Sequence, residues 1–141
     1  MKQSTELLDA AHRFFEAMSV RAFSLLEASI SNHEDALFIG SDPNDWYVGK
    51  DAFMKQLKAE LNEEGQVKFE ISDTKTYVEG VSGWFGGKVD MVHSNGSRIP
   101  FRCTMAFHQK DNLWELTQMH FSIAVPNDFI GQVIGSYRDE Q

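Results

Sequence analysis

Apolar residues near the start of the chain recur at helical spacing. Leu7, Leu8, Ala11, Phe14, Phe15 and Met18 return every three or four positions, which puts them along one stripe of an α-helix and predicts that the stripe is buried. Ser4 precedes the stripe as a capping residue. Glu6 adds negative charge to the first turn, where the helix dipole favours it. Val20, Phe23, Leu26 and Ile30 continue the spacing from a second candidate cap, Ser19; the pattern allows one bent helix or two. Residues 35–40 (DALFIG) read as a short buried strand, and residues 41–49 (SDPNDWYVG) as a turn-rich loop holding two large aromatics. A third helix is predicted over 50–61, with Phe53, Leu57 and Leu61 on one face and Gly65 closing it.

Beyond residue 65 the period changes to two, and 66–78, 83–93, 98–108 and 113–124 read as four long strands. Asn95-Gly96 predicts a two-residue type I′ turn, whose central positions both need φ > 0, and residues 110–112 predict a three-residue bulged loop in which Gln109 faces Leu113. With those turns Phe101 faces Phe121, Cys103 faces Met119 and Met105 faces Thr117 on one side. On the other, Arg102 faces His120, Thr104 faces Gln118 and His108 faces Trp114, while Asp90 falls beside Phe101 and Val89 beside Arg102. One face is then apolar with Asp90 at its edge, and the other carries an Arg–His pair. A one-residue slip at either turn would exchange the faces. After Pro126-Asn127-Asp128, the residues Phe129, Ile130, Val133 and Ile134 predict a short C-terminal helix. Helices followed by a meander give an α+β fold, with about three N-terminal helices covering one face of a curved, mostly antiparallel sheet.

Composition narrows the function. The 141 residues suit a single domain spanning 1–141 with a core of its own, and 42% hydrophobic with 12% aromatic residues is the make-up of a folded chain. Against 21 Asp+Glu stand 13 Lys+Arg, a net charge of −8, so the basic stripe that binds nucleic acid is missing. No apolar run approaches the roughly 20 residues that span a bilayer. Asp9 and His12 interrupt the segment where a signal peptide would be continuously apolar. Neither nucleic acid nor membrane is therefore an expected partner. The one cysteine, Cys103, excludes a disulfide framework and a four-cysteine zinc site, and agrees with a cytoplasmic location.

Familiar chemical motifs are missing. Gly83, Gly86, Gly87 and Lys88 do not make a phosphate loop, because Ser82 and Val89 stand where glycine and Ser or Thr belong. Close strand packing or a bulge accounts for these glycines better. The histidines show no short metal-ligand spacing, and no metal or cofactor is expected. Cys103, in an apolar strand, reads as a core residue rather than a nucleophile. Asp90 would have a raised pKa if it bordered an apolar pocket, and His120 can change charge near neutral pH. Their plain alternatives are a strand-end aspartate paired with Lys88 or Arg102, and a histidine held by Gln118, Ser122 or a backbone carbonyl. Arg102 beside His120 suits an anionic ligand or a subunit interface. The apolar face is either the seat of the helices or the wall of a cavity where helices and curved sheet part, with Phe14, Phe15, Trp46 and Tyr47 as further walls.

The segments DALFIGSDPNDWYVGKDAF, IPFRCT, QKDNLW and LTQMHFSIAVPN, with Trp84, together resemble the SnoaL-like branch of the NTF2-like superfamily over residues 7–133. The resemblance implies a cone-shaped, cystatin-like α+β fold whose sheet encloses a pocket, and homodimers that often form through the sheet's outer face. Related folds include ketosteroid isomerase, polyketide cyclases, dehydratases, a calmodulin-dependent kinase association domain and binding proteins, so the fold implies a pocket and not a reaction. Counting back from Gly49, the isomerase's catalytic carboxylate falls at Gly40, which can abstract no proton; Asp42 stands two residues away. Where the kinase association domain lines its pocket with arginines, this chain has Met105 and Phe121, which implies a greasier pocket. The expected function is a small homodimeric domain whose apolar pocket binds a small apolar or aromatic molecule. The alternative is a cofactor-independent isomerase, cyclase or dehydratase using general acid/base catalysis, with Asp90, Asp42 and His120 as candidates and none assigned. Pocket walls are expected at Phe15, Trp46, Tyr47, Trp84, Phe101, Cys103, Met105, Met119 and Phe121. Arg102, Gln118 and His120 are expected on the outer face, in a dimer interface or a second polar site.

Overall fold

The computed structural model describes residues 1–139. In chain order its elements are β1 (Lys2–Gln3), α1 (Thr5–Val20), α2 (Phe23–Ser29), β2 (Leu37–Ile39), β3 (Trp46–Val48), α3 (Lys50–Glu64), β4 (Val67–Glu79), β5 (Ser82–His93), β6 (Arg98–Lys110), β7 (Leu113–Ser122), a 3-10 turn (Asn127–Phe129) and α4 (Ile130–Asp139). The strands form one sheet in the order β1-β4-β5-β6-β7-β2-β3, antiparallel throughout except where β2 runs parallel to β7. The sheet curls without closing, and the α+β expectation holds. The loop expected over 41–49 contains a strand, β3, whose pairing to β2 the surrounding turn residues had disguised.

Ser4 caps α1 as expected, its hydroxyl accepting the Leu7 N–H at 3.1 Å. The helix stops at Arg21, which takes the left-handed conformation (φ 58°) and turns its N–H back on Ala17 and Met18. There are thus two helices rather than one bent one, and Ser19 is no cap. Its hydroxyl donates to the Phe15 carbonyl at 3.0 Å and accepts the Phe69 N–H at 2.9 Å, which ties α1 to β4. The Arg21 guanidinium donates to the carbonyls of Leu61, at 2.6 Å, and Gly65, groups that the end of α3 leaves without helical partners.

Both long hairpins differ from expectation in their turns. Ser94, Asn95 and Gly96 form a three-residue loop closed by His93 and Ser97, and only Gly96 (φ 89°) is left-handed. The two-residue type I′ turn lies instead at Asp111 and Asn112, with φ of 51° and 64°, between the paired residues Lys110 and Leu113. A bulge at Thr117 then adds one more residue to β7, so that Cys103 pairs with Phe121 and Met105 with Met119. Beyond the bulge the two one-residue shifts sum to two, so β6 and residues 118–122 of β7 keep the expected faces. Between turn and bulge only one shift applies: Trp114 pairs with Gln109 rather than His108 and turns to the core side, opposite to expectation. On β5 there is only one shift. Val89 pairs with Phe101 and Asp90 with Pro100, so Val89 turns inward and Asp90 outward, opposite to expectation.

The core lies between the concave face and the helices α1, α2 and α3. Phe15, Phe38, Phe85, Leu26, Ile30 and Leu116 are fully buried, each worth roughly 1.5–3 kcal/mol by removal from water. Phe38 of β2 stacks on Phe53 of α3 with ring centroids 4.1 Å apart. Gly83 lets α1 approach: a Cβ there would lie 2.8 Å from the Leu7 side chain. Gly87 sits opposite an irregularity between Ser72 and Lys75, where Asp73 takes φ 51°. The one extra residue on β4 bends the β4–β5 ribbon and helps it curl. After β7 the chain leaves the sheet through the 3-10 turn into α4.

Candidate functional site

Between α3 and the concave face the packing leaves a cavity of about 380 Å³. Phe38, Phe69, Met91, Ile99, Phe101, Met119 and Phe121 line it from the sheet, and Phe53, Leu57 and Leu61 from α3. The apolar column of α3 places those side chains at i, i+4 and i+8. Gln56, Glu60 and Glu64 form a second column beside it, one step round the helix. They carry the lining from apolar to polar, and Asp45 and Tyr47 of the β2–β3 hairpin complete the polar side.

Hydrogen bonds fix this polar group. The Tyr47 hydroxyl donates to Asp45 Oδ1 at 3.0 Å, and the Asp42 N–H donates to Asp45 Oδ2 at 3.1 Å. The Gly40 N–H donates to the Asp45 carbonyl at 3.0 Å. Gly40 is glycine for a steric reason: a Cβ there would lie 2.5 Å from Asp45 Oδ2. The carboxylate of Asp45 thus occupies the space into which a side chain at position 40 would project. Gln56 donates to Glu60 at 3.1 Å, and His93 shares a 2.7 Å hydrogen bond with Glu64.

The apolar hollow and the acidic residues around it shift the titration of Glu60 and of Tyr47. Water reaches much of Glu60, but its carboxyl is crowded by the cavity wall. This desolvation raises its pKa; the Gln56 hydrogen bond opposes the rise, and the charges of Asp45, Glu63 and Glu64 add to it. The Tyr47 phenol is pushed up to about 12, first by removal from water, then by its hydrogen bond to Asp45 and the negative charges of Asp45, Glu60 and Asp42. Among the described residues no Lys or Arg lines the cavity. A neutral hydroxyl, an acid held toward its protonated form and further carboxyl groups at an apolar wall can bind a hydrogen-bond donor or a cation, or move a proton.

Of the residues expected to wall a pocket, Tyr47, Phe101, Met119 and Phe121 line this cavity. Phe15 stands behind it, edge-on to Phe121 with centroids 6.0 Å apart. Cys103 and Met105 are buried in the core and do not reach it, and burial raises the Cys103 thiol pKa, which keeps it unreactive. Trp46 and Trp84 are corrections: 61% and 40% exposed, they project from the outer side of the sheet, Trp84 resting on Tyr77. Asp90 is a correction as well, turned outward by the β5 register to meet Arg98 at 3.2 Å. Asp42 faces solvent and shapes the turn, accepting the Asn44 N–H at 2.9 Å. His120 pairs with Thr104 on the exposed face, away from the cavity, and Arg102 and Gln118 share that face. Sequence reasoning missed Asp45, Gln56, Glu60 and Glu64. The last three were within reach as an i, i+4, i+8 polar row adjoining the apolar column of α3. Among the described residues, no cluster of His, Cys, Asp and Glu is placed to hold a metal ion.

A model of the SnoaL-like domain matches residues 7–126. No curated protein matches the sequence significantly. Among solved structures, an NTF2-like protein of unknown function from Pseudomonas putida KT2440 is similar with a TM-score of 0.79 at 15% identity, covering 90% of this chain and 93% of its own. A candidate dehydratase of the NTF2-like family from Streptomyces avermitilis aligns with a TM-score of 0.72 at 15% identity, over 85% of this chain and 94% of its own. A candidate calcium/calmodulin-dependent protein kinase II association domain from Xanthomonas campestris aligns with a TM-score of 0.73 at 14% identity, over 90% of this chain and 91% of its own. At these identities the likeness is one of fold. Among the described residues no helix is long and apolar enough to cross a membrane.

Proposed function

We propose that this chain, which belongs to the SnoaL-like family of the NTF2-like superfamily, is a homodimeric domain that binds a small organic molecule between α3 and the concave face of its sheet. The observation that carries this reading is the division of the cavity wall. Aromatic, methionine and aliphatic side chains form the floor, and Asp45, Tyr47, Gln56, Glu60 and Glu64 gather on one side. Its volume falls in the range of small-molecule sites, roughly 300–1,000 Å³. The ligand has an apolar or aromatic body, and its polar end donates hydrogen bonds or carries positive charge, because among the described residues the wall offers carboxylates without Lys or Arg. Thermal-shift measurements with arylalkyl amines, alcohols and carboxylates of matched shape test this. The amines should stabilise most and the carboxylates least, and Ile99→Trp, which fills the half-buried wall, should abolish the effect without unfolding the protein. Preference for the carboxylates, or shifts untouched by Ile99→Trp, would sink the reading.

A second reading has one specific observation in its favour: an acid with a raised pKa, Glu60, shares an apolar cavity with the Tyr47 hydroxyl. That arrangement suits proton abstraction beside a carbonyl, with Glu60 moving the proton and the Tyr47 hydroxyl turning from Asp45 to donate to the developing oxyanion. It supports the isomerase, cyclase or dehydratase alternative. Deuterium wash-in next to the carbonyl of bound ketones, followed by NMR, separates the two readings. Catalysis requires wash-in that Glu60→Gln removes while binding persists; binding alone gives none.

A further inference from the structure

We infer a second binding site, for a phosphate group, on the convex face of the sheet; it does not depend on the reading of the cavity. The strand register sets Lys88 directly opposite Arg102 and Gly86 opposite Thr104, while Arg102 faces Ser122 and Thr104 faces His120. Two cations directly opposed on neighbouring strands repel each other. This pair is conspicuous in a chain of net charge −8. Elsewhere on the same face the pattern is the opposite: Arg98 is held between Glu70 and Asp90. The Lys88 ammonium meets the Asp73 carboxylate at 2.9 Å, but their side chains are 63% and 68% exposed, so the pair is loose. Among the described residues the Arg102 guanidinium has no carboxylate partner.

Shape accompanies the charge. Gly86 carries no side chain, and a Cβ there would meet nothing nearer than the Trp84 ring at 3.9 Å, so the sheet is hollow at this point. The hollow is a cleft of about 360 Å³ around Gly86 and Gly87, bordered by Lys88, Arg102, Thr104, His120 and Ser122, with Asp73 at its margin. Phosphate has the chemistry that these groups match. The planar guanidinium bonds two of its oxygens at once, the ammonium supplies a mobile point charge, and two hydroxyls and an imidazole N–H can donate to the rest. Bound there, the group relieves the Lys88–Arg102 repulsion and takes over Lys88 from Asp73.

The test is an NMR titration of the full chain with inorganic phosphate and with glycerol 3-phosphate, against sodium chloride at equal ionic strength. Saturable shifts of the backbone amides of Gly86, Gly87, Lys88, Thr104 and His120 are expected with phosphate and not with chloride. Arg102→Gln should weaken the apparent Kd roughly tenfold, the loss of one charge-assisted contact. Asp73→Asn should tighten it, and Arg98→Gln should leave it unchanged. Equal binding of the two compounds identifies the phosphate group alone as the ligand, whereas tighter binding of the ester identifies a phosphorylated organic molecule; either supports the site. Shifts that chloride reproduces, or that Arg102→Gln leaves intact, overturn it.

Discussion

Gly40 and Asp45 show how little of a site one residue reveals by itself. Position 40 looks empty, yet the carboxylate of Asp45 fills its space from across the hairpin. Nothing in the sequence distinguishes Asp45 from Asp42, since both are turn aspartates in SDPND; only the pairing of β2 with β3 points one inward. Gly40→Ala should therefore act at a distance. A Cβ 2.5 Å from Asp45 Oδ2 forces the carboxylate away from the Tyr47 hydroxyl and the Asp42 N–H, at a cost of about 1–3 kcal/mol in denaturant unfolding. The phenol titration should shift with it, from about 12 toward the ordinary value of 10.0. A phenol with a raised folded pKa contributes stability that is complete below its unfolded value and lost as pH rises through the folded one. The variant thus lacks a component of stability that the parent loses between pH 10.0 and about 12. Ultraviolet phenolate titration of both, with Tyr47→Phe marking the signal, checks this; an unmoved titration would show that Asp45 does not hold Tyr47.

At the scale of elements, all four long strands and the three N-terminal helices were legible, because periodicity and punctuation are local properties. Register was not. It accumulates every turn and bulge along a hairpin, and a side chain changes face with each single step. Beyond Thr117 the β6–β7 pair kept its faces through two shifts, at the type I′ turn and at Thr117, whereas Trp114, between them, met only the first and changed face. The β5–β6 pair had one shift and no compensation, which moved Asp90 out of the candidate site. Asn-Gly was the stronger turn signal, but the left-handed pair formed at Asp111 and Asn112. The two asparagines should accordingly respond differently. Asn112→Ala forces a Cβ-bearing residue without a helpful amide into a left-handed position and should cost about 1 kcal/mol. Asn95 is not left-handed and only accepts the Ser97 N–H at 2.9 Å in solvent, so Asn95→Ala should cost about 0.5 kcal/mol or less. Urea midpoints compare the two, and equal losses would contradict the turn assignment.

For the whole molecule, the curl that makes a cavity on one side leaves a broad face on the other. One row of directly paired residues crosses that face from β4 to β3: Tyr77, Trp84, Ala106, Gln118, Leu37 and Val48. Apart from Gln118 it is apolar or aromatic, and the two tryptophans expected inside the pocket, Trp84 and Trp46, lie in it and beside it. Their number was legible in the composition. Their destination was not, because a cavity is the mismatch between two packed surfaces and no single strand records it. The row suits a second copy of the chain, which would cover Trp84 and its neighbours. Lys88 and Arg102 each lie four residues further along their strands, at the margin of such a contact. Light scattering should give roughly twice the 16.0 kDa chain mass, and Trp84→Arg should return it to the monomer value while leaving the circular dichroism spectrum unchanged. Salt offers an independent check on what joins the copies. Each carries −8, so their net charges oppose association, and screening should weaken that opposition. The dimer should therefore tighten as sodium chloride is raised from low to physiological ionic strength. Loosening over the same range would mean that ion pairs rather than the Trp84 row hold it, and a monomer at every salt concentration would remove the interface altogether.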